Sequence, residues 1–355
     1  MKKPFLVLLL TACLAAGCGT LKKGAGPSPS GNEQETENGR TEQESGRATT
    51  RATGTTLKAT PLPQTLLSIG PGEYSGITWL GGDRYAVVSD DLKGGGIVFF
   101  NIPMDENGVV GTVSMRQAAG TTAATGQARD CEGIAYVPST GTLYVSAESD
   151  QSIREYDLAG RETGRVLRIP NEFSSKNIQP NRGFEALSYD PVTKKFWTLT
   201  EAPPSGETLL RLQRFSADGQ PDGRYGYRMD APLHSAENTL AYVHGVPAIA
   251  ALPDGRLIVL EREVYVPQGS FISKLTLSGT LIRLYLVDPG HDRSEPLRKT
   301  LLCSFRTGAL DLANYEGMCL GPTLPDGTRT LLLIADSENG SGGLTNEYVK
   351  VILLR

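Results

Sequence analysis

The chain has 355 residues with 39 acidic and 35 basic side chains, a formal net charge of −4 at pH 7. That balance, with no basic run longer than a pair, argues against a nucleic-acid partner. The length admits two domains, although all-β folds of this size are often one.

At the N-terminus, Lys2 and Lys3 precede an apolar run from Phe5 to Ala16. A run of that length suits a signal peptide and falls short of the roughly 20 residues that span a bilayer. It closes on Leu14-Ala15-Ala16-Gly17-Cys18, which resembles the lipobox of bacterial lipoproteins. The expectation is a signal peptide over residues 1–17 and lipidation of Cys18, so that the exported protein meets the membrane through its lipid anchor alone. The simpler alternative is an ordinary secretory peptide with Cys18 incidental. Gly19, where an aspartate would favour inner-membrane retention, points to the outer membrane.

Residues 18–59 form the next segment, rich in Gly, Ser, Thr, Glu and Gln and nearly free of large apolar groups. Such a segment cannot bury enough apolar surface to offset its ordering entropy, so a disordered tether is expected. Its end-to-end distance would be on the order of 35 Å. The folded domain is then residues 60–355. Of the five cysteines, Cys13 falls in the signal peptide and Cys18 takes the lipid, leaving Cys131, Cys303 and Cys319. These lack metal-ligand spacing and leave open one disulfide or three buried thiols.

The domain repeats one pattern: a short apolar strand, a turn, and a second β-branched strand ending in a carboxylate. The copies are Ser75–Asp91, Glu132–Ser149, Glu185–Ala202, Val246–Glu263 and Glu316–Glu338. Their turns hold Gly81-Gly82-Asp83, Pro138 to Gly141, Asp190-Pro191, Pro253-Asp254-Gly255 and Pro325-Asp326-Gly327. Pro presets φ, while Gly and Asp tolerate the positive φ of hairpins. Further strand-like runs follow at Gly96–Ile102, Ser152–Leu158, Leu209–Phe215, Gly279–Val287, Thr300–Phe305 and Tyr348–Leu354. No stretch sustains a helical period. The reading is all-β, a β-propeller of five blades. A sixth blade has room near residues 106–130 or 230–245. Leu62–Ile69 is predicted to pair with Tyr348–Leu354 and close the ring.

In a propeller the first strand of each blade lines the channel, so residues at its start converge. Three copies begin with glutamate, at Glu132, Glu185 and Glu316. The second strands end in Asp90, Glu148, Glu201, Glu261 and Asp336. Carboxylates gathered at one mouth repel one another unless a cation or arginines neutralise them. Oxygen-only ligands suit a hard ion, and an irregular ring suits Ca²⁺. Glu132, Glu185, Glu316, Asp90, Asp336 and Glu261 are the candidate ligands, with Asn314 able to add a carbonyl. Arg129, Arg182 and Arg262 each lie within three residues of a repeated carboxylate and could clamp a phosphate or carboxylate, or pair with the glutamates. The bland alternative is that these groups only staple blades together.

Several motifs resemble the phytase-like family, the "esterase-like activity of phytase" proteins of bacteria. They are Asn181-Arg182-Gly183-Phe184-Glu185, the run Leu252 to Arg262, and Asn314-Tyr315-Glu316-Gly317, followed by Gly321-Pro322 and Leu324 to Leu331. The resemblance spans about Gly72 to Arg355. It implies an exported propeller related to calcium-dependent propeller phytases, in which carboxylates hold Ca²⁺ ions that bind substrate phosphates and activate a water. On the esterase side, no G-x-S-x-G nucleophile motif occurs. His234, His244 and His291 show no metal-binding spacing, and His291-Asp292 offers a triad only in principle.

Three functions follow as expectations. One is a Ca²⁺-dependent hydrolase of a phosphate or other ester, with Glu132, Glu185 and Glu316 as ligands or base and Arg182 and Arg262 as catalytic clamps. Another is a non-catalytic module that captures a glycan or protein at the cell surface. There the aromatics Trp79, Tyr136, Tyr189 and Tyr315 would supply a recognition face, although their alternation fits core strand residues better. The last is a calcium-dependent lactonase, which differs from the first only in substrate.

Overall fold

The computed structural model describes residues 57–69, 72–89, 96–121, 129–292, 294–337 and 347–355. Asp90, Cys18, the signal peptide and nearly all of the tether lie outside the described residues. Ala59, assigned to the tether by composition, is the first residue of β1 (Ala59–Leu66).

The strands form five four-stranded antiparallel sheets. Blade 1 holds β2 (Tyr74–Gly81), β3 (Arg84–Ser89), β4 (Gly96–Asn101) and β5 (Ser114–Thr121). Blade 2 holds β6 (Cys131–Val137), β7 (Thr142–Ala147), β8 (Ser152–Tyr156) and β9 (Glu162–Val166). Blade 3 holds β10 (Phe184–Asp190), β11 (Lys195–Thr200), β12 (Leu210–Phe215) and β13 (Pro221–Tyr227). Blade 4 holds β14 (Thr239–Ala251), β15 (Leu257–Pro267), β16 (Gly279–Val287) and β17 (Lys299–Gly308). In blade 5, β18 (Asn314–Thr323), β19 (Arg329–Asp336) and β20 (Tyr348–Leu354) are joined by β1 on the outside.

Both chain segments therefore close the ring, as expected, with Ala59 opposite Leu354 and Leu66 opposite Tyr348. There are five blades. The two stretches with room for a sixth belong to existing blades: β5 is the outer strand of blade 1, and residues 239–245 lengthen β14.

Five apolar clusters sit between neighbouring blades, which is what makes the ring one body. Ala86, Val88 and Ile97 meet Ile134 and Val145 between blades 1 and 2. Val137 and Tyr144 meet Phe196 and Phe215 between blades 2 and 3. Trp197 and Leu199 meet Val246 and Val259 between blades 3 and 4, and Ile258 and Leu260 meet Leu331 and Leu333 between blades 4 and 5. Tyr85, Val87 and Phe100 meet Leu332 and Val351 across the closure. Alternation along each inner strand feeds one cluster on either side.

All five inner strands share a register break at the same level, after Tyr74, Cys131, Phe184, Gly245 and Tyr315. The displaced residues are Ser75-Gly76, Glu132-Gly133, Glu185, Val246-Pro247 and Glu316. A bulge turns a side chain away from the alternating pattern and is a common device beside functional sites. The glycines of these motifs have a separate cause. A Cβ on Gly133 would stand 2.5 Å from the Glu185 carbonyl oxygen, and one on Gly317 would stand 2.8 Å from that of Ser75. The inner strands thus approach too closely for any side chain there. Gly133→Ala is expected to lower stability by about 1–3 kcal/mol, because backbone rather than a flexible side chain must yield; urea denaturation checks it.

One helix, α1 (Phe271–Leu277), was not predicted. It is seven residues long and buries none of its side chains, so it leaves no apolar stripe for a periodicity argument to find. No helix among the described residues is long and apolar enough to cross a membrane.

Candidate functional site

The starts of the inner strands open into a polar cavity of about 290 Å³. Its wall carries seven carboxylates, Asp130, Glu132, Glu148, Glu185, Glu201, Glu316 and Asp336, against two guanidiniums, Arg182 and Arg262. Bulged Glu132, Glu185 and Glu316 come from the inner strands of blades 2, 3 and 5. Glu148 and Glu201 each lie just beyond a second strand. Their amides extend the hairpins past the bulge, to the carbonyls of Asp130 at 2.8 Å and Gly183 at 2.9 Å. The shared 16-residue interval in blades 2 and 3 does place these two groups alike.

Arg262 ties the back of the cavity together. It is buried and donates to Glu201 Oε1 at 2.8 Å, to Asn314 Oδ1 at 2.8 Å and to Glu316 Oε1. Asn314 Nδ2 donates to the same Glu316 oxygen at 2.8 Å. Arg262 therefore spans blades 3, 4 and 5 as an internal counterion, which corrects its expected role as a free substrate clamp. Arg182 is more exposed and donates through one nitrogen to Glu201 Oε2. Its remaining donors leave it able to meet a ligand anion.

The acids divide into two groups. Glu316 and Glu201 are neutralised by arginine. Asp130, Glu132 and Glu148 instead bring ligand oxygens within 4.8 Å of one another. The Gly183 amide donates to Glu148 Oε1, yet burial pushes the Glu148 carboxyl up to about 7, with Asp130 and Glu201 adding repulsion. Burial likewise raises Asp130. Glu185 is lifted well above the carboxylate range by burial and by the nearby charges of Glu201 and Glu316, against the pull of Arg262. Its carboxyl has no hydrogen-bond partner among the described residues.

Two predicted site residues lie elsewhere. Arg129 is buried inside blade 2, donating to Tyr156, to Ser152 Oγ at 2.5 Å and to Asp150 at 3.4 Å. Glu261 accepts from Tyr227 at 2.7 Å and Lys299 at 2.5 Å. Register explains the second error. Counted from the first regular pair below the bulge, Glu261 takes the place of Ser146 in blade 2, and Glu263 that of Glu148. Glu263 is itself taken by His234, at 2.9 Å from Nδ1. The His291 ring faces Asp288 at 3.0 Å rather than Asp292, so the triad does not form. Cys131, Cys303 and Cys319 are separate thiols.

Asp130 and Asn181 belong to the site and were missed. Both hold left-handed backbone, with φ of 53° and 51°. Each precedes its repeat copy, so strand periodicity does not reach them. Asp130 stands two residues before Glu132, where a left-handed turn delivers its carboxyl beside Glu148.

Fold and site define a five-bladed β-propeller whose channel opens at one end into a buried acidic cavity. The family model described as phytase-like, esterase-like activity of phytase, matches residues 69–338, and the chain belongs to that family. Solved structures match at low identity. An endo-arabinase from Bacteroides thetaiotaomicron is 13% identical, with 81% of this chain and 96% of that one covered and a TM-score of 0.46. A member of the DUF4221 family from Bacteroides vulgatus is 8% identical, with 84% and 98% covered and a TM-score of 0.43. A luciferin-regenerating enzyme is 12% identical, with 82% and 95% covered and a TM-score of 0.42. A search of curated proteins finds no match.

Proposed function

We propose that this protein is an exported, lipid-anchored hydrolase of a phosphate or other ester that depends on a divalent cation, Ca²⁺ first among the candidates. The observation that supports this most is the charge imbalance of the cavity, seven carboxylates against two guanidiniums on one buried wall. Such an excess is costly without a cation or bound protons.

Asp130, Glu132 and Glu148 have the oxygen donors and spacing to hold the ion. A cation bound there would lower the pKa of a water and offset charge on the reacting ester. Glu185, raised in pKa and unpartnered, is suited to take and return a proton. Arg182 faces the cavity with donors to spare for a phosphate or carboxylate oxygen. Arg262 holds Glu201 and Glu316 in place.

The test uses the chain from Gly19 onward, which keeps every described residue. Calcium at a hundredfold excess over Kd is expected to stabilise it by about 2.7 kcal/mol and so raise its melting temperature, and a chelator to reverse both. Glu148→Gln should abolish the shift. Turnover of p-nitrophenyl phosphate, p-nitrophenyl acetate or a γ-lactone would then identify the ester. A calcium shift with no turnover would favour a binding module for a surface glycan or protein, and neither response would sink the metal reading.

A further inference from the structure

The channel has a second mouth at the far ends of the inner strands, where a cavity of about 280 Å³ opens. A constriction of only about 10 Å³, lined by Gly76, Gly133 and Gly317 among others, separates it from the acidic cavity. The two ends of the channel are chemically unlike. Trp79, Tyr136 and Tyr189 each stand four residues past the first displaced residue of β2, β6 and β10, at Ser75, Glu132 and Glu185. Three neighbouring blades therefore present aromatic rings at one level of the wall, and all three rings are only partly buried. Each packs against a core cluster, as expected of a strand residue, and also lines the cavity; of the four aromatics singled out, Tyr315 alone is fully buried.

Several polar groups of this wall are already committed. The Tyr136 amide donates to Thr78 Oγ1 at 3.1 Å, the Ala251 amide to Ser188 Oγ at 3.0 Å, and the Trp79 indole to the Gly82 carbonyl at 2.8 Å. Arg329 of blade 5 is the one charged side chain of this lining. It lines the cavity, and its guanidinium has no hydrogen bond or ion pair among the described residues. Nearby Asp326 is occupied by Thr328 and Arg355.

We propose that this mouth is a second binding site, for a planar aromatic anion. The ring would stack on the aromatic wall and the carboxylate would take the Arg329 fork. An apolar enclosure with one directed polar group is the usual build of a small-molecule site. The inference does not depend on the metal reading, because the constriction separates the two cavities.

Fluorescence gives a direct readout, since the chain has two tryptophans and Trp197 is buried beneath Arg214. Titrating 2-naphthoate into the chain from Gly19 onward should quench Trp79 saturably, with the same Kd in calcium and in chelator. Affinity should fall about tenfold or more in Arg329→Gln, and likewise for the neutral 2-naphthalenemethanol on the unaltered protein. Tyr189→Leu, which keeps both the reporter and the cation, should also weaken binding. Quenching that does not saturate, that is equal in Arg329→Gln, that is matched by the alcohol, or that needs calcium would overturn the proposal. Unchanged circular dichroism and melting temperature in each variant show that folding is not the cause.

Discussion

Arg262→Met is expected to cost about 3–5 kcal/mol of stability, the usual penalty for removing one partner of a buried ion pair. Arg262 is buried and bonds to Glu201 of blade 3 and to Asn314 and Glu316 of blade 5. Methionine fills similar volume, so the loss isolates charge rather than packing. Glu316 would be left without its counterion and Glu201 with Arg182 alone, in a cavity already crowded with five more carboxylates. The acidic cavity would respond by binding protons, so the deficit should shrink as pH falls from 8 to 5. Arg262→Lys should recover only part of the loss, because a single ammonium cannot fork to carboxylates on two blades. Urea denaturation of the three proteins at pH 5 and pH 8 is the measurement. A loss under about 1 kcal/mol at pH 8 would mean that Arg262 is not the counterion that Glu201 and Glu316 require.

Much of this arrangement was legible in the sequence, and the failures have physical causes. Hairpin turns with Pro, Asp and Gly, set between β-branched runs, identify two strands of every blade and the closure by β1 and β20. The outer strands were harder. β9, Glu-Thr-Gly-Arg-Val, is exposed along its whole length, so no alternation marks it. Glu132, Glu185 and Glu316 were found because a repeat fixes their place in each blade. Glu261 misled because blade 4 carries a longer turn, from Ala251 to Leu257 against Val137 to Thr142 in blade 2. That single added residue displaces the second strand and puts Arg262 where a count of carboxylates expects none. The use of Arg262 by Glu201 and Glu316 depends on contacts 61 and 54 residues apart, which composition and spacing do not encode.

Calcium affinity is expected to climb by about tenfold per pH unit as pH rises toward 7, for each proton the ion displaces. Burial holds the Glu148 carboxyl at about 7 and the Glu185 carboxyl well above its ordinary value, so the metal-free site carries protons at neutral pH. The sign for stability is the reverse of the usual carboxylate case. A folded pKa raised above the unfolded value of 4.5 means that the native state binds the extra proton. The stabilising contribution is complete below 4.5 and is lost as pH rises through the folded pKa. Metal-free protein should therefore weaken between pH 5 and 8. Carboxyls with depressed pKa, such as Asp222 and Asp230, are fully ionised in that window and do not oppose the trend. A cation replaces the proton, so saturating calcium should flatten the fall while leaving stability at pH 5 nearly unchanged. Glu148→Gln mimics the protonated form and should remove part of the pH dependence together with the calcium response. Thermal melts at pH 5, 6, 7 and 8, with calcium and with chelator, separate these effects. Equal slopes in calcium and chelator would show that the acidic mouth holds protons alone, and that its carboxylates serve to join the blades.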